Sequence, residues 1–268
     1  MSRIEIAMEK AAQLKQVKAR VEIEPSTPIW APSVSARHGV LSPTNPFMVN
    51  LHDPHSAPAE EYRKLKSALV ELTRAQGGLK NALLVTSSIP KEGKSLTAVN
   101  LAISLAQELD HTVLLIDADL RGPSLHRYFE IEQGVGLSDV LLGKARIEET
   151  IISTGIGKLS IMRAGSSIEN PAELFSSLKM NGLVEELKER YTDRYLIFDT
   201  SPVLPFAETR SLARLVDGVL FVVMERLASQ SDVKDAIDSL KGCNLLGLVY
   251  NAAAGNKDMH YYYGYDKS

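Results

Sequence analysis

The feature that most constrains the fold is an alternation, from residue 59 onward, between short apolar runs and longer amphipathic segments. Short runs of aliphatic residues are typical of strands buried on both faces of a parallel sheet, and the segments between them fit crossover helices. We therefore predict one doubly wound, mostly parallel α/β domain over residues 59–252. Its strands are expected at Ala82–Thr86, Thr112–Ile116, Leu159–Met162, Tyr195–Phe198, Val219–Val223 and Leu245–Tyr250.

The segments on either side of this domain have different patterns. Apolar residues spaced by three or four predict an amphipathic helix over residues 1–24, which either frays alone or docks on a partner or a neighbouring subunit. Residues 25–58 hold seven of the twelve prolines and predict a linker. A helix is expected at about Ala59–Ala75. Residues 253–268 show neither a helical nor a strand period, and this predicts a mobile tail.

Composition excludes several classes of protein. The net charge of −3 and the pI near 6.1 give no global basic field, so nucleic acid is not expected as a partner. The single cysteine, Cys243, rules out an internal disulfide and fits a reducing compartment. No stretch approaches the roughly 20 apolar residues that cross a bilayer. We therefore expect a cytoplasmic protein that reaches the inner face of the cell membrane through a partner.

A loop directly after the first predicted strand, followed by an amphipathic helix, predicts a P-loop for ATP and Mg²⁺. Loop N–H groups and the helix N-terminus attract phosphates, while Lys94 would reach the β- and γ-phosphates and Ser95 would ligate Mg²⁺. Ser88 stands where the usual GxxxxGK[ST] pattern has glycine. The alternative is a chance Gly-Lys-Ser turn. Nucleotide contacts are expected from Ser88, Pro90, Lys91, Glu92, Gly93, Lys94, Ser95 and Leu96.

Three carboxylates follow later predicted strands. Asp117 and Asp119 end one apolar run, and Asp199 ends another. Because the carboxyl ends of parallel strands meet at one edge of the sheet, these side chains should lie beside the P-loop, where they can hold Mg²⁺. A single strand-terminal aspartate is often only a helix cap, but three such residues at two strand ends are harder to explain in this way.

At these residues the chain resembles the bacterial tyrosine autokinases of capsule and exopolysaccharide assembly. The loop Ser87–Ser95 follows the family's Ser-Ser-x-Pro-Gly-Glu-Gly-Lys-Ser, with Lys91 in place of glycine. The Asp-x-Asp-x-Arg motif is met by Asp117, Asp119 and Arg121, and Asp-x-x-Pro by Asp199 and Pro202. The resemblance covers about residues 58–268. It implies an ATP:protein-tyrosine phosphotransferase in which Asp117 accepts the tyrosine proton, while Lys94 and the Mg²⁺ ligands Ser95, Asp119 and Asp199 stabilise charge.

The resemblance also implies roles at both ends of the domain. Glu60, Arg63 and Lys66 match the ExxRxxR helix of ring assembly, with Lys66 in place of arginine; their shared face could also be simply solvated. Asn251 resembles an adenine-contacting asparagine of related ATPases, or is a turn residue. The expected autophosphorylation sites, in trans within a ring, are Tyr261, Tyr262, Tyr263 and Tyr265.

The family implies partners as well. These are a second copy, the cytoplasmic segment of a membrane chain-length-determinant protein, and sugar-nucleotide enzymes as further substrates. Such a kinase would regulate polysaccharide chain length and export, and the N-terminal segments are similar to those of exosortase-associated autokinases. A partition or positioning ATPase of the same fold is the main alternative, although Ile89 occupies the position of that class's second lysine. A non-catalytic nucleotide sensor is a third reading.

Overall fold

The computed structural model describes residues 40–74, 80–190 and 194–253 of the chain. The predicted N-terminal helix and the four tail tyrosines lie outside the described residues. No helix within these ranges is long and apolar enough to cross a bilayer. The strands are β1 (Ala82–Ser87), β2 (Thr112–Ala118), β3 (Ile151–Ser153), β4 (Leu159–Met162), β5 (Arg194–Thr200), β6 (Gly218–Met224) and β7 (Leu245–Asn251). The helices are α1 (Val49–His52), α2 (Ala57–Arg74), α3 (Lys94–Ala106), α4 (Leu125–Tyr128), α5 (Leu137–Leu141), α6 (Ile147–Thr150), α7 (Pro171–Phe175), α8 (Leu178–Arg190), α9 (Ala207–Ala213) and α10 (Gln230–Ser239).

The strands form one sheet in the order β3-β4-β2-β5-β1-β6-β7. All neighbours are parallel except β3 and β4, which pair antiparallel at one edge. The prediction of a doubly wound, mostly parallel sheet is confirmed, and all six predicted strands are present. Strand β3 was not predicted because its three residues are too short to show a period. Strand β1 lies between β5 and β6, so its carboxyl end opens at the point where ligands bind in such sheets.

Helices cover both faces of the sheet, and side chains alternate between the two resulting cores. On β1, Leu84 joins the core under α8, α9 and α10, whereas Leu83 and Val85 join the core under α2 and α3. All three are essentially inaccessible to solvent. Burial of each such side chain stabilises the fold by about 1.5–3 kcal/mol, so the strand that leads into the P-loop is firmly fixed.

Residues 40–58 differ from the predicted linker. Met48 is fully buried, and Asn50 is only 3% exposed. The Asn50 side-chain amide donates to the Asn100 carbonyl at 3.0 Å, and the Asn100 side-chain amide donates to the Phe47 carbonyl at 2.9 Å. Asn50, one of the polar residues that suggested a solvated segment, therefore has its partner on α3. This part of the proline-rich stretch packs against the helix that follows the P-loop.

Candidate active site

The P-loop lies between β1 and α3, and one glycine is essential to its path. Gly93 has a φ of 87°, the left-handed region that favours glycine. A β-carbon there would also collide with the side-chain amide of Asn251. That amide donates to the Glu92 carbonyl at 2.9 Å, which ties the end of β7 to the loop. Asn251 thus contacts the backbone of the P-loop, and its contact with adenine stays a prediction.

Glu92 is a loop residue whose side chain turns inward. It is fully buried, and its carboxylate accepts hydrogen bonds from Ile89 N–H at 2.9 Å and Met224 N–H at 3.3 Å. The second bond reaches the end of β6. The Glu92 carboxylate is thus occupied in holding the loop closed, so the predicted nucleotide contact of Glu92, which stays a prediction, would have to come from its backbone. The loop pattern alone gave no signal of this.

Lys91 and Pro90 form the exposed tip of the loop. Lys91 has a φ of 75°, although it carries a β-carbon. The left-handed conformation costs a non-glycine residue about 1–2 kcal/mol. At the position where the family has glycine, Lys91 therefore adopts a backbone conformation that glycine favours. Ser88, at the other end of the loop, is buried and its hydroxyl has no hydrogen-bond partner among the described residues.

Lys94 and Asp119 form the ion pair at the centre of the site. The Lys94 ammonium is 3.1 Å from Asp119 Oδ2. The other carboxylate oxygen of Asp119 accepts hydrogen bonds from the Ser201 hydroxyl at 2.6 Å and from Gly122 N–H at 3.0 Å. Ser201 was not predicted to be part of the site. Its position two residues after Asp199 was the available signal.

Asp117 and Asp199 are the penultimate residues of β2 and β5 and are register partners in the ladder. Asp117 Oδ2 accepts hydrogen bonds from Ser124 N–H and Leu125 N–H, both at 2.9 Å. Ser124 also donates its hydroxyl to Asp199 Oδ2 at 3.4 Å. The Oδ1 atoms of both aspartates are buried and have no hydrogen-bond partner among the described residues. The sequence analysis missed Ser124, which contacts both carboxylates.

The buried setting changes the proton affinity of these two carboxylates. Burial, and next the negative charge of Asp199, raises the pKa of Asp117 to about 7. Burial also raises the pKa of Asp199, since it outweighs the lowering effects of the Lys94 charge and the Ser95 hydroxyl. Ser95 and Leu96 lie in the first turn of α3. The structure thus brings Lys94, Ser95, Asp117, Asp119 and Asp199 together at one edge of the sheet.

A cavity of about 190 Å³ opens beside Asp117. Its walls come from the turn after β2, from the segment around Gly134 and from the residues that follow β4. Arg121 lines the cavity, donates to Glu208 at 2.5 Å and lies over the ring of Phe206, 4.8 Å from its centroid. Arg163 enters from the end of β4. The sequence analysis did not select Arg163, and an arginine directly after an apolar strand was the available signal.

The predicted assembly face on α2 is partly engaged within the chain itself. Glu60 and Arg63 form an ion pair at 2.5 Å, and Arg63 also donates to the Pro54 carbonyl. Lys66 pairs with Glu108 at 2.7 Å, and its side chain is only 17% exposed. The three residues do share one side of α2. However, Lys66 links α2 to the residues just beyond α3, so Glu60 and Arg63 are the more accessible members.

The family of this chain follows from its similarity to known proteins. The family model described as ParA, NUBPL iron-transfer P-loop NTPase, matches residues 78–259. The tyrosine-protein kinase YwqD of Bacillus subtilis is 36% identical over 220 residues, which cover 81% of this chain and 91% of that protein. The chain belongs to the bacterial tyrosine-protein kinases, within the ParA-type P-loop proteins. The family resemblance inferred from the motifs is therefore confirmed.

This bacterial tyrosine kinase is also similar to two further proteins. The kinase domain of Escherichia coli tyrosine kinase ETK is 27% identical, with a TM-score of 0.70, and the match covers 83% of this chain and 86% of that one. The succinoglycan biosynthesis transport protein ExoP of Rhizobium meliloti is 30% identical over 234 residues, covering 84% of this chain but 29% of ExoP. The kinase domain thus occurs in some relatives as one part of a much longer protein.

Proposed function

We propose that this kinase uses ATP and Mg²⁺ to phosphorylate tyrosines, beginning with Tyr261, Tyr262, Tyr263 and Tyr265 of a neighbouring subunit. One observation supports the reaction most directly. Asp117 presents a buried carboxylate oxygen that has no partner in the described part of the chain, near the Lys94–Asp119 pair and beside an open cavity. A P-loop protein that only binds nucleotide does not need a free carboxylate oxygen at the place where a phosphate acceptor would bind.

The nucleotide would bind along the loop, with its phosphates at the first turn of α3. Backbone N–H groups and the helix N-terminus favour negative charge there. Lys94 would then bind the phosphates and interact less strongly with Asp119. Gly93, whose φ is 87°, allows the backbone to approach closely. The adenine would lie near Asn251, whose side chain already holds the Glu92 carbonyl.

Hard oxygen ligands suit Mg²⁺, and this site supplies them. Asp199 Oδ1 is buried with no partner within the ranges that the structure describes, which is costly unless a cation or water binds it. Ser95, Asp119 and Asp199 are the residues that would hold the ion, directly or through water. When bound, Mg²⁺ neutralises charge on the β- and γ-phosphates.

The proposed reaction needs a base, because a tyrosine phenol ordinarily has a pKa of about 10. The phenolic oxygen forms a bond to the γ-phosphorus of ATP, and the bond from that phosphorus to the β–γ bridging oxygen breaks, releasing ADP. The phenol proton passes to Asp117. A carboxylate whose pKa is raised to about 7 is a better proton acceptor than an ordinary aspartate. Lys94 stabilises the charge that develops on the phosphoryl oxygens.

The acceptor tail and the partners extend this proposal to an assembly. Subunits would contact one another through the side of α2 that carries Glu60 and Arg63, with each tail entering the next active site. The match to 29% of ExoP supports a transport-protein segment as partner of the kinase domain, here supplied by a separate membrane chain-length-determinant protein. The kinase would thereby regulate exopolysaccharide chain length and export. Sugar-nucleotide enzymes are further candidate substrates.

The deciding experiment is incubation of the purified chain with Mg·ATP, followed by intact mass measurement and mapping of tail peptides. We expect mass increments of phosphate located on the four tail tyrosines. ATP hydrolysis without any protein-bound phosphate would instead favour the partition-type ATPase, an alternative that is compatible with the ParA family match. Ile89, at the position of that class's second lysine, argues against it.

A further inference from the structure

The cavity beside Asp117 is lined by basic side chains as well as by the Asp117 carboxylate. Three basic side chains line it: Arg121, His126 and Arg163. Glu208 neutralises Arg121. Arg163 makes no ion pair with a carboxylate in the part of the chain that the structure describes, and its Nε is buried without a hydrogen-bond partner. A half-buried guanidinium with free donor capacity is suited to an anionic group that enters from solvent.

The walls that hold Arg163 are rigid. One guanidinium nitrogen donates to the Glu132 carbonyl at 2.9 Å, and the group lies so close to Gly134 that a β-carbon there would meet it at 2.7 Å. The Asp139 carboxylate accepts hydrogen bonds from the N–H and the hydroxyl of Ser166, a residue that lines the cavity, at 3.1 and 2.6 Å. Asp139 is thereby engaged with the loop; its charge acts on Arg163, but among the described residues it makes no ion pair with that guanidinium. The cavity is preorganised before any ligand binds.

We propose that this cavity binds the phosphate of a tyrosine that has already been phosphorylated, and so positions the next tyrosine of the same segment at Asp117. The inference rests on the proposed function, which it deepens by naming the preferred substrate: a partly phosphorylated tail. A phosphate monoester carries about −1.5 to −2 charges at pH 7, and an arginine fork binds it through two parallel hydrogen bonds. The cavity adds no chemical step to phosphoryl transfer.

The spacing of the tail tyrosines fits one cavity beside one acceptor position. In an extended segment, side chains two residues apart lie on the same side, about 7 Å apart. That separation is comparable to the width of a cavity of about 190 Å³. A tail bound in an extended form would therefore place Tyr261, Tyr263 and Tyr265 on one side and Tyr262 on the other. Phosphate at Tyr265 should favour Tyr263, and phosphate at Tyr263 should favour Tyr261.

Synthetic peptides spanning residues 257–268 test this order. Tyr261 is replaced by Phe in all of them, so that Tyr263 is the acceptor. The first peptide has phosphotyrosine at position 265 and Tyr262→Phe, the second has Phe at both positions, and the third has phosphotyrosine at 262 with Tyr265→Phe. The enzyme is the full chain with its own four tail tyrosines changed to Phe. We expect kcat/KM for the first peptide to exceed both others by at least about tenfold, as hydrogen bonds to charged groups predict.

Two arginine variants attribute the effect to the cavity. Arg163→Gln should reduce the ratio between the first and second peptides to near 1, and Arg163→Lys should leave an intermediate ratio because lysine lacks the fork. Arg146→Gln is the matched control: Arg146 is a highly exposed arginine, outside the cavity, that pairs with Glu149, and the ratio should persist in this variant. Because a ratio is compared, a general loss of activity through altered folding cancels.

A binding measurement separates this proposal from the proposed function. Fluorescence anisotropy of the first and second peptides, labelled at their N-termini, is recorded with enzyme and Mg·ADP. Tighter binding of the phosphopeptide, lost in Arg163→Gln, supports the cavity even if no peptide becomes phosphorylated, in which case the kinase proposal fails alone. Equal affinity and equal kcat/KM for the two peptides would overturn the cavity proposal while the kinase proposal stands.

Discussion

Asp117 and Asp199 are side by side in the sheet: their Cα atoms are register partners on the neighbouring strands β2 and β5. Each carboxylate is buried, and each keeps one oxygen without a hydrogen-bond partner among residues 40–74, 80–190 and 194–253. Lys94 is the nearby cation, and its ammonium pairs with Asp119. The site of the free protein therefore holds three carboxylates against one lysine, an imbalance that a divalent cation would correct.

Replacement of Lys94 by methionine should abolish ATP turnover and tail phosphorylation. The variant loses the charge that faces the phosphates, and it leaves Asp119 without its 3.1 Å partner. We therefore expect retained secondary structure but a lower melting temperature. Lys241→Met, at a lysine that is 78% exposed, is the control and should behave as wild type. Phosphotyrosine at wild-type level in folded Lys94→Met protein would rule out the proposed site.

Replacement of Tyr261, Tyr262, Tyr263 and Tyr265 by Phe should remove most autophosphorylation while nucleotide binding is unchanged. The proposed phosphate contacts all come from the loop and the sheet edge. Fluorescent-nucleotide titration and phosphopeptide mapping check both points. Tyr195 serves as an internal control because it is fully buried, with its hydroxyl 2.8 Å from that of Thr73. Label found mainly on Tyr62 or Tyr128 in wild type would show that the tail is not the principal acceptor.

The stability of the nucleotide-free protein should fall as pH rises from about 4 to 7. Burial raises the pKa of Asp117 to about 7 and also raises that of Asp199, whereas unfolded aspartate titrates near 3.9. The folded state thus binds more protons in this window, and its stability is lost as the carboxyls ionise. Thermal melts between pH 5 and 8 measure the slope, which Asp199→Asn should flatten and Asp238→Asn should not.

The same carboxylates make Mg²⁺ stabilisation dependent on pH. Because metal and protons compete for the oxygens, added Mg²⁺ should raise the melting temperature more at pH 7.5 than at pH 5.5. Asp199→Asn should lose most of this difference. An equal Mg²⁺ effect at both pH values would argue against Asp199 as a ligand.

Lys91→Gly should stabilise the folded chain by about 0.5–1 kcal/mol, because glycine adopts the left-handed region without a steric penalty, while part of the gain is lost to its greater freedom when unfolded. Lys91 has a φ of 75° and an exposed side chain. Gly93→Ala is the contrasting variant, since its β-carbon would also collide with Asn251. Urea denaturation of both variants gives the comparison. A free energy of unfolding lower for Lys91→Gly than for the wild type would contradict backbone strain at Lys91.

Phosphorylation should dissociate the assembled kinase. Four phosphates would add about −6 to −8 charges to a tail that starts near neutral, and neighbouring tails would repel one another. Light scattering on Lys94→Met protein and on fully phosphorylated wild type, each with and without the partner's cytoplasmic segment, measures the assembly. We expect the larger mass for the unphosphorylated form. Identical masses in every condition would contradict the cycle and leave the kinase proposal intact.

The sequence by itself determined the sheet, the loop and the three aspartates. Strands buried on both faces are recognised by their apolar runs, and the P-loop is recognised by Gly93-Lys94-Ser95 between a strand and a helix. Both patterns depend only on residues that are close together in the sequence. These elements are encoded by neighbouring residues, so periodicity and spacing reveal them. The short edge strand Ile151–Ser153 was missed because three residues cannot display a period.

Only the tertiary structure decided which distant side chains meet. The bond of Glu92 to Met224, the bond of Ser124 to Asp199, and the presence of Arg163 and Asp117 in the walls of one cavity all join elements far apart in the chain. The same holds for the packing of residues 40–58 on α3 through Asn50 and Asn100. Local composition carries no information on such partners, because their geometry is fixed by the strand order and by the two helix layers that pack on the sheet.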